Sequence, residues 1–208
     1  MKHLLQSSVP RTVDLDKRRE LLAAAATVLA RTGVIDTSLR ALASELNTSA
    51  RMLVYYFGSK EQLILEVLTR QQRAAIPETS EVELPTSIEA HRDWCFADWH
   101  ACTRGERCDT LRIVEQVFGA ACGHDSPYRE YTWETLTLLT RNSRARLIAL
   151  GMPVDVAETR SRIALAAFQG MLIEYFTAPD PSYVDDTFRR FVDEFLLAPF
   201  PSRDDKTD

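Results

Sequence analysis

Apolar residues recur three and four positions apart along almost the whole of this chain, and that spacing points to a fold built from helices. No run of alternating β-branched residues bounded by turn dipeptides interrupts the pattern. A first helix is expected over about 16–32, with Leu21, Leu22, Ala25, Val28 and Leu29 on one face and Gly33 just past its end. A second fits 39–46, capped by Thr37 or Ser38, and a third fits 50–56, capped by Thr48 or Ser49 and stopped by Gly58. Ser59 and Gln62 have the spacing of a capping box for a fourth, which carries Leu63, Ile64, Val67 and Leu68 and must end before Pro77. Five more are expected over about 87–104, 108–122, 126–149, 154–177 and 182–198, punctuated by Gly151, Pro153, Pro179 and Pro181. The polar stretch 77–87 between the two groups is a connector, so domains are expected over 1–76 and 77–208.

With 45% of residues hydrophobic and 26% charged, the chain has the composition of an ordinary globular protein. No apolar stretch approaches the length of a membrane span, and the first residues do not read as a signal peptide. A cytoplasmic location is therefore expected, with Cys95, Cys102, Cys108 and Cys122 as reduced thiols. The net charge of −5 hides an asymmetry: residues 1–75 hold eleven Lys and Arg against seven Asp and Glu, a surplus of +4, which leaves −9 for the remainder. A basic head on an acidic body suits a protein that meets a polyanion at one end only.

Residues 38–57 sharpen that reading. Two short helices are joined by a tight turn, with Leu39, Leu42, Ala43 and Leu46 as the apolar positions of the first. Asn47 stands where the turn needs a left-handed residue. This is the anatomy of a helix-turn-helix, whose second helix enters the major groove of DNA.

The run from Leu21 to Leu68 resembles the N-terminal domain of the tetracycline-repressor (TetR) family. The matching pieces are an Ala-rich first helix ending in Arg31-Thr32-Gly33, the Thr37-Ser38-Leu39-Arg40 start of the second, and Leu53-Val54-Tyr55-Tyr56-Phe57 followed by Gly58-Ser59-Lys60-Glu61-Gln62-Leu63. Two positions depart from the family: the turn is Asn47-Thr48-Ser49 where Gly-Val-Ser is common, and Val54 stands where an aromatic is common. The resemblance implies an all-α protein with a three-helix helix-turn-helix DNA-binding domain and a larger helical domain for ligand binding and dimerisation. It also implies a homodimer on a palindromic double-stranded operator, with a small-molecule effector and no cofactor.

Carried over by position, the resemblance implies phosphate contacts from Thr37 or Ser38, Thr48, Ser49, Tyr55 and Lys60. Ala50, Arg51 and Met52 should face base edges, and Arg51 alone can make a bidentate contact to guanine. Tyr56 divides between contact and packing. Lys2, Arg11, Lys17, Arg18 and Arg19 form a basic N-terminal stretch that reads as a solvated tail or a minor-groove arm.

In the second domain the last two helices are expected to pair with their dimer mates through Ile163, Ala167, Gly170, Met171, Phe188, Phe191 and Phe195. A mostly apolar ligand pocket is expected around Trp94, Trp99, Phe118, Trp133, Phe168 and Tyr175, with His100, Arg112, Glu115 or Gln116 as polar anchors. Two other classes compete. His91, Cys95 and Cys102 share a helical face and would suit a metal or redox sensor. An enzyme finds little support: no Gly-x-Ser-x-Gly, phosphate loop or His-Glu-x-x-His occurs.

Overall fold

The structure, a computed structural model, describes residues 14–199. The arm residues Lys2 and Arg11 lie outside the described residues. Among those described there are nine α-helices and no strand: α1 (Leu15–Thr32), α2 (Leu39–Glu45), α3 (Ala50–Phe57), α4 (Lys60–Ala75), α5 (Ile88–Thr103), α6 (Cys108–Ala121), α7 (Arg129–Ala149), α8 (Val154–Thr177) and α9 (Ser182–Phe191). The expected all-α class is the observed one. Two details differ: α7 starts at Arg129 and not near 126, and α9 loosens after Phe191 into a π turn over Val192–Leu196. Arg160 holds that turn by donating to the carbonyls of Leu196 (3.3 Å) and Ala198 (2.6 Å), which have no further helix to bond to.

Each early helix starts where a short polar side chain can satisfy a free backbone N–H. Ser38, Ser49, Ser59 and Ser87 accept from the N–H groups of Ala41, Met52, Gln62 and Ala90 at 3.0–3.2 Å. Asp14 does the same for α1.

Two cores form. The first is built from Leu22, Leu29, Leu42, Leu53, Leu63 and their neighbours, and Ile113 and Val117 of α6 enter it from far along the chain. The second joins α5, α7, α8, α9 and the π turn through Trp99, Leu147, Leu172, Val184 and Phe188. Helix α6 therefore ties the two halves together, with Leu111 packing against the second core. At its middle Gln116 accepts from the Val34 N–H at 2.9 Å. Gly33 makes room for that bond: its φ is +77°, and a Cβ there would come 2.9 Å from the Gln116 Oε1. Helix α7 provides a second tie. The buried Asn142 donates to the Pro77 carbonyl and accepts from the Thr79 hydroxyl, both at 2.9 Å, so the connector after α4 is fastened to the larger half.

Candidate functional site

The turn between α2 and α3 has the geometry a helix-turn-helix needs. Asn47 adopts φ +50°, and the N–H groups of Asn47 and Thr48 bond back to the carbonyls of Ser44 and Ala43 at 3.1 and 2.9 Å. Leu53 and Phe57 bury one face of α3, which turns Arg51, Met52, Val54 and Tyr55 outward. Among the described residues the Arg51 guanidinium makes no hydrogen bond or ion pair, so all five donors remain available.

Ser38 and Ser49 sit exposed at the N-termini of α2 and α3, whose positive ends favour anions. Thr48 and Ala50 flank Ser49 half-exposed, and Tyr56 is half-buried beside Tyr55, with ring centroids 5.2 Å apart. Thr37 is different. It is buried, and its hydroxyl is engaged by the Gly33 carbonyl (2.7 Å) and the Thr32 hydroxyl (2.9 Å), so of the Thr37–Ser38 pair only Ser38 presents its side chain to the surface. Lys60 opens α4 and reaches back to the Ile35 carbonyl at 3.3 Å. Arg18, one of the basic residues near the chain start, is committed to structure: it grips Glu66 with two bonds of 2.5 and 2.6 Å and lies over the Phe57 ring.

The second half contains a cavity of about 640 Å³. Its walls come from the end of α4 and the connector (Ala75, Ile76, Pro77, Glu83, Leu84), from α5 (His91, Trp94, Cys95, Asp98), from α7 (Leu139, Asn142, Ser143, Arg146), and from α8 and α9 (Leu165, Phe168, Phe188, Phe191). Of the residues expected around a pocket, Trp94 and Phe168 line this one. Trp99 and Tyr175 stand a layer behind. The Trp99 ring stacks on Phe188 at 4.5 Å, meets Phe168 and Tyr175 edge-on, and donates its indole N–H to Asp185 at 2.7 Å. Phe118 packs elsewhere, Trp133 is 68% exposed, and His100 faces solvent, so none of the three lines the cavity. The expected polar anchors are also elsewhere: Arg112 lies over the Phe176 ring, and Gln116 is spent on Val34. Glu115, whose carboxyl burial pushes up to about 7, lies outside the cavity too.

The polar residues that do face the cavity are not singled out from the sequence, apart from His91 and Cys95. Their signal was present: Leu139, Asn142, Ser143 and Arg146 recur at i, i+3, i+4 and i+7 on α7, a polar interruption of an inward face. Burial holds the His91 ring down to about 4, so it is neutral at pH 7. The His91 Nε2 lies 3.9 Å from the Cys95 Sγ, but the Cys102 thiol turns toward Asp98. Among the described residues no group of three or more His, Cys, Asp or Glu is placed to hold a metal ion.

On the outer side of α8, Ile163, Ala166, Gly170 and Ile173 lie exposed at i, i+3, i+7 and i+10. Ala167, Phe191 and Phe195 are half-buried, whereas Met171 and Phe188 pack inside the protomer and have no surface to offer a partner. No helix among the described residues is long and apolar enough to cross a membrane.

Residues 21–67 match the family described as bacterial regulatory proteins, tetR family. No curated protein matches this chain. Solved structures do. A transcriptional regulator from Rhodococcus sp. Rha1 aligns with a TM-score of 0.68 at 22% identity, over 86% of this chain and 95% of its own. A putative transcriptional regulator from Saccharomonospora viridis, solved in complex with choline, aligns at 0.66 and 19% identity over 86% and 96%. NalD of Pseudomonas aeruginosa, the secondary repressor of the MexAB-OprM multidrug efflux pump, aligns at 0.61 and 19% identity over 86% and 96%. Residues 21–67 are thus a DNA-binding domain of the kind found in the tetR family of bacterial regulatory proteins, and the chain as a whole shares its fold with such regulators.

Proposed function

We propose that this protein is a cytoplasmic, homodimeric repressor that binds a palindromic operator through residues 1–76 and releases it when a small molecule enters the cavity of residues 77–208. The observation that carries this reading is the course of α4. Its first residue, Lys60, belongs to the surface that bears α3, and its last, Ala75, lines the cavity together with Ile76 and Pro77. At 16 residues the helix is about 24 Å long. A ligand that displaces one end of so short a rod displaces the other, and α3 with it.

The DNA contacts divide into two kinds. Ser38, Thr48, Ser49, Tyr55 and Lys60 hold phosphates and set the register, while Arg51, with Ala50 and Met52, reads base edges and Tyr56 supports the helix from behind. The cavity takes a ligand with an apolar body, since Leu139, Leu165, Phe168 and Phe191 line much of it. The repressor assignment draws on NalD, a repressor of the same fold, and the choline complex is a precedent for a small molecule held by this fold.

Titrations on an operator duplex at several salt concentrations test the assignment. Lys60→Ala should weaken binding to all sequences alike and lower the salt slope by about one unit. Arg51→Ala should instead relax the preference at one base pair per half-site, by about 1–3 kcal/mol. Uniform weakening by Arg51→Ala would remove it from base reading.

A further inference from the structure

One charge in the cavity wall has no counterpart. The Arg146 guanidinium lies over the Trp94 indole at 4.2 Å, and Trp94 in turn stacks on His91 at 5.6 Å with the rings nearly parallel. The guanidinium is thus held in place by an aromatic face and not by an anion. Among the described residues it makes no hydrogen bond and no ion pair. The carboxylates nearest in influence are Asp98 and Glu83. Asp98 is already claimed by Arg107, with a bond of 2.5 Å and a second from Arg107 to its carbonyl at 3.1 Å. Glu83 is exposed at the rim. Burial accordingly lowers the Arg146 pKa, and that effect outweighs the raising influence of Asp98, Cys95 and Glu83.

One turn earlier on the same helix, Ser143 also lines the cavity, and its hydroxyl has no hydrogen-bond partner among the described residues. A partly desolvated cation without a counter-charge is costly, and a planar guanidinium beside a hydroxyl donor matches the two oxygens of a carboxylate. We propose that the effector is an amphipathic anion, a carboxylate whose head meets Arg146 and Ser143 and whose apolar body lies against Leu139, Leu165 and Phe168. This rests on the reading of the cavity as the effector site. A quaternary ammonium would instead place a second cation beside Arg146.

Calorimetric titration of the full-length protein tests this with the straight-chain carboxylates from hexanoate to dodecanoate, the matching amides and octyltrimethylammonium. The best carboxylate is expected to bind at least tenfold more tightly than its amide, with the ammonium weakest. Arg146→Gln should erase the difference between acid and amide, and Arg146→Lys should keep part of it. Ser143→Ala should narrow it without abolishing it, which preserves a test if Arg146→Gln does not fold. Equal affinity of acid and amide, survival of the preference in Arg146→Gln, or no binding of any carboxylate at millimolar concentration would overturn the proposal. A carboxylate that binds with this preference yet leaves operator affinity unchanged would instead refute release by ligand and leave the anion site standing.

Discussion

If the proposed dimer forms through α8, Gly170→Arg is expected to leave a folded monomer and to weaken binding to a two-half-site operator at least a hundredfold. The position makes a clean probe because of what surrounds it. Gly170 is exposed on α8, and a Cβ built there meets nothing within 4 Å, so the protomer can accept a larger residue. Replacing glycine inside a helix also favours the helix by about 0.8–1.0 kcal/mol. Any damage must then come from a neighbour outside the protomer. Beside Gly170, Ile163, Ala166 and Ile173 form an exposed apolar line along the same helix, small enough at its centre for close approach of a second copy. An arginine there buries an unpaired charge between two helices. Sedimentation should show monomers, and the lone recognition helix that remains should bind only half a site. A dimer of normal affinity would place the interface off this face of α8.

The second large effect is on stability. Trp99→Ala should cost about 3–5 kcal/mol in urea unfolding at fixed protein concentration, because the indole is only 3% exposed and sits at the centre of the Phe168, Tyr175 and Phe188 cluster. The loss has a second part. Asp185, which accepts from the indole and pairs with Arg104 at 2.9 Å, would keep only the arginine. Trp99→Phe narrows the cause: it keeps an aromatic ring in the cluster but forfeits the pyrrole N–H and its hydrogen bond to Asp185, for about 1–3 kcal/mol. A loss below 1 kcal/mol in Trp99→Ala would mean that Trp99 lines a pocket, as its place in the sequence first suggested, and does not hold the core.

That contrast shows how much of the molecule was legible beforehand. Helix identities were, because caps and stops are local: a serine before an apolar run, Asn47 and Gly58 at positive φ, and prolines between elements all act within one turn of the chain. The helix-turn-helix was equally legible, being contiguous. Ser59, the cap of the following α4, does accept from the Gln62 N–H as the spacing implies.

What periodicity could not supply was the partner of each face. A helical stripe says that Phe188 and Met171 are covered, not whether by their own protomer or another, and here their own protomer covers both. Three tryptophans within one stretch looked alike in the sequence. One became core, one lines the cavity beneath an arginine, and one lies on the surface. Ile113 and Val117 join the first core because α6 crosses from one half to the other, a tertiary choice with no local signal. Arg146 is illegible in the sequence for a related reason: a charged residue on a helix reads as facing water unless its neighbours are known to form a cavity.

As a proposed dimeric regulator the protein is expected to read a specific, symmetric DNA sequence, which selection from a pool of random duplexes tests directly. The enriched sequences should contain two inverted half-sites whose centres are about 34–36 Å apart, or a multiple of that spacing. The winning duplex should bind at least 10³ times more tightly than a scrambled one at physiological salt, roughly the lower bound for specific recognition. Enrichment of no common sequence, with every duplex bound alike and released alike by salt, would mean that the basic N-terminal domain attracts DNA without reading it and is no operator-specific regulator.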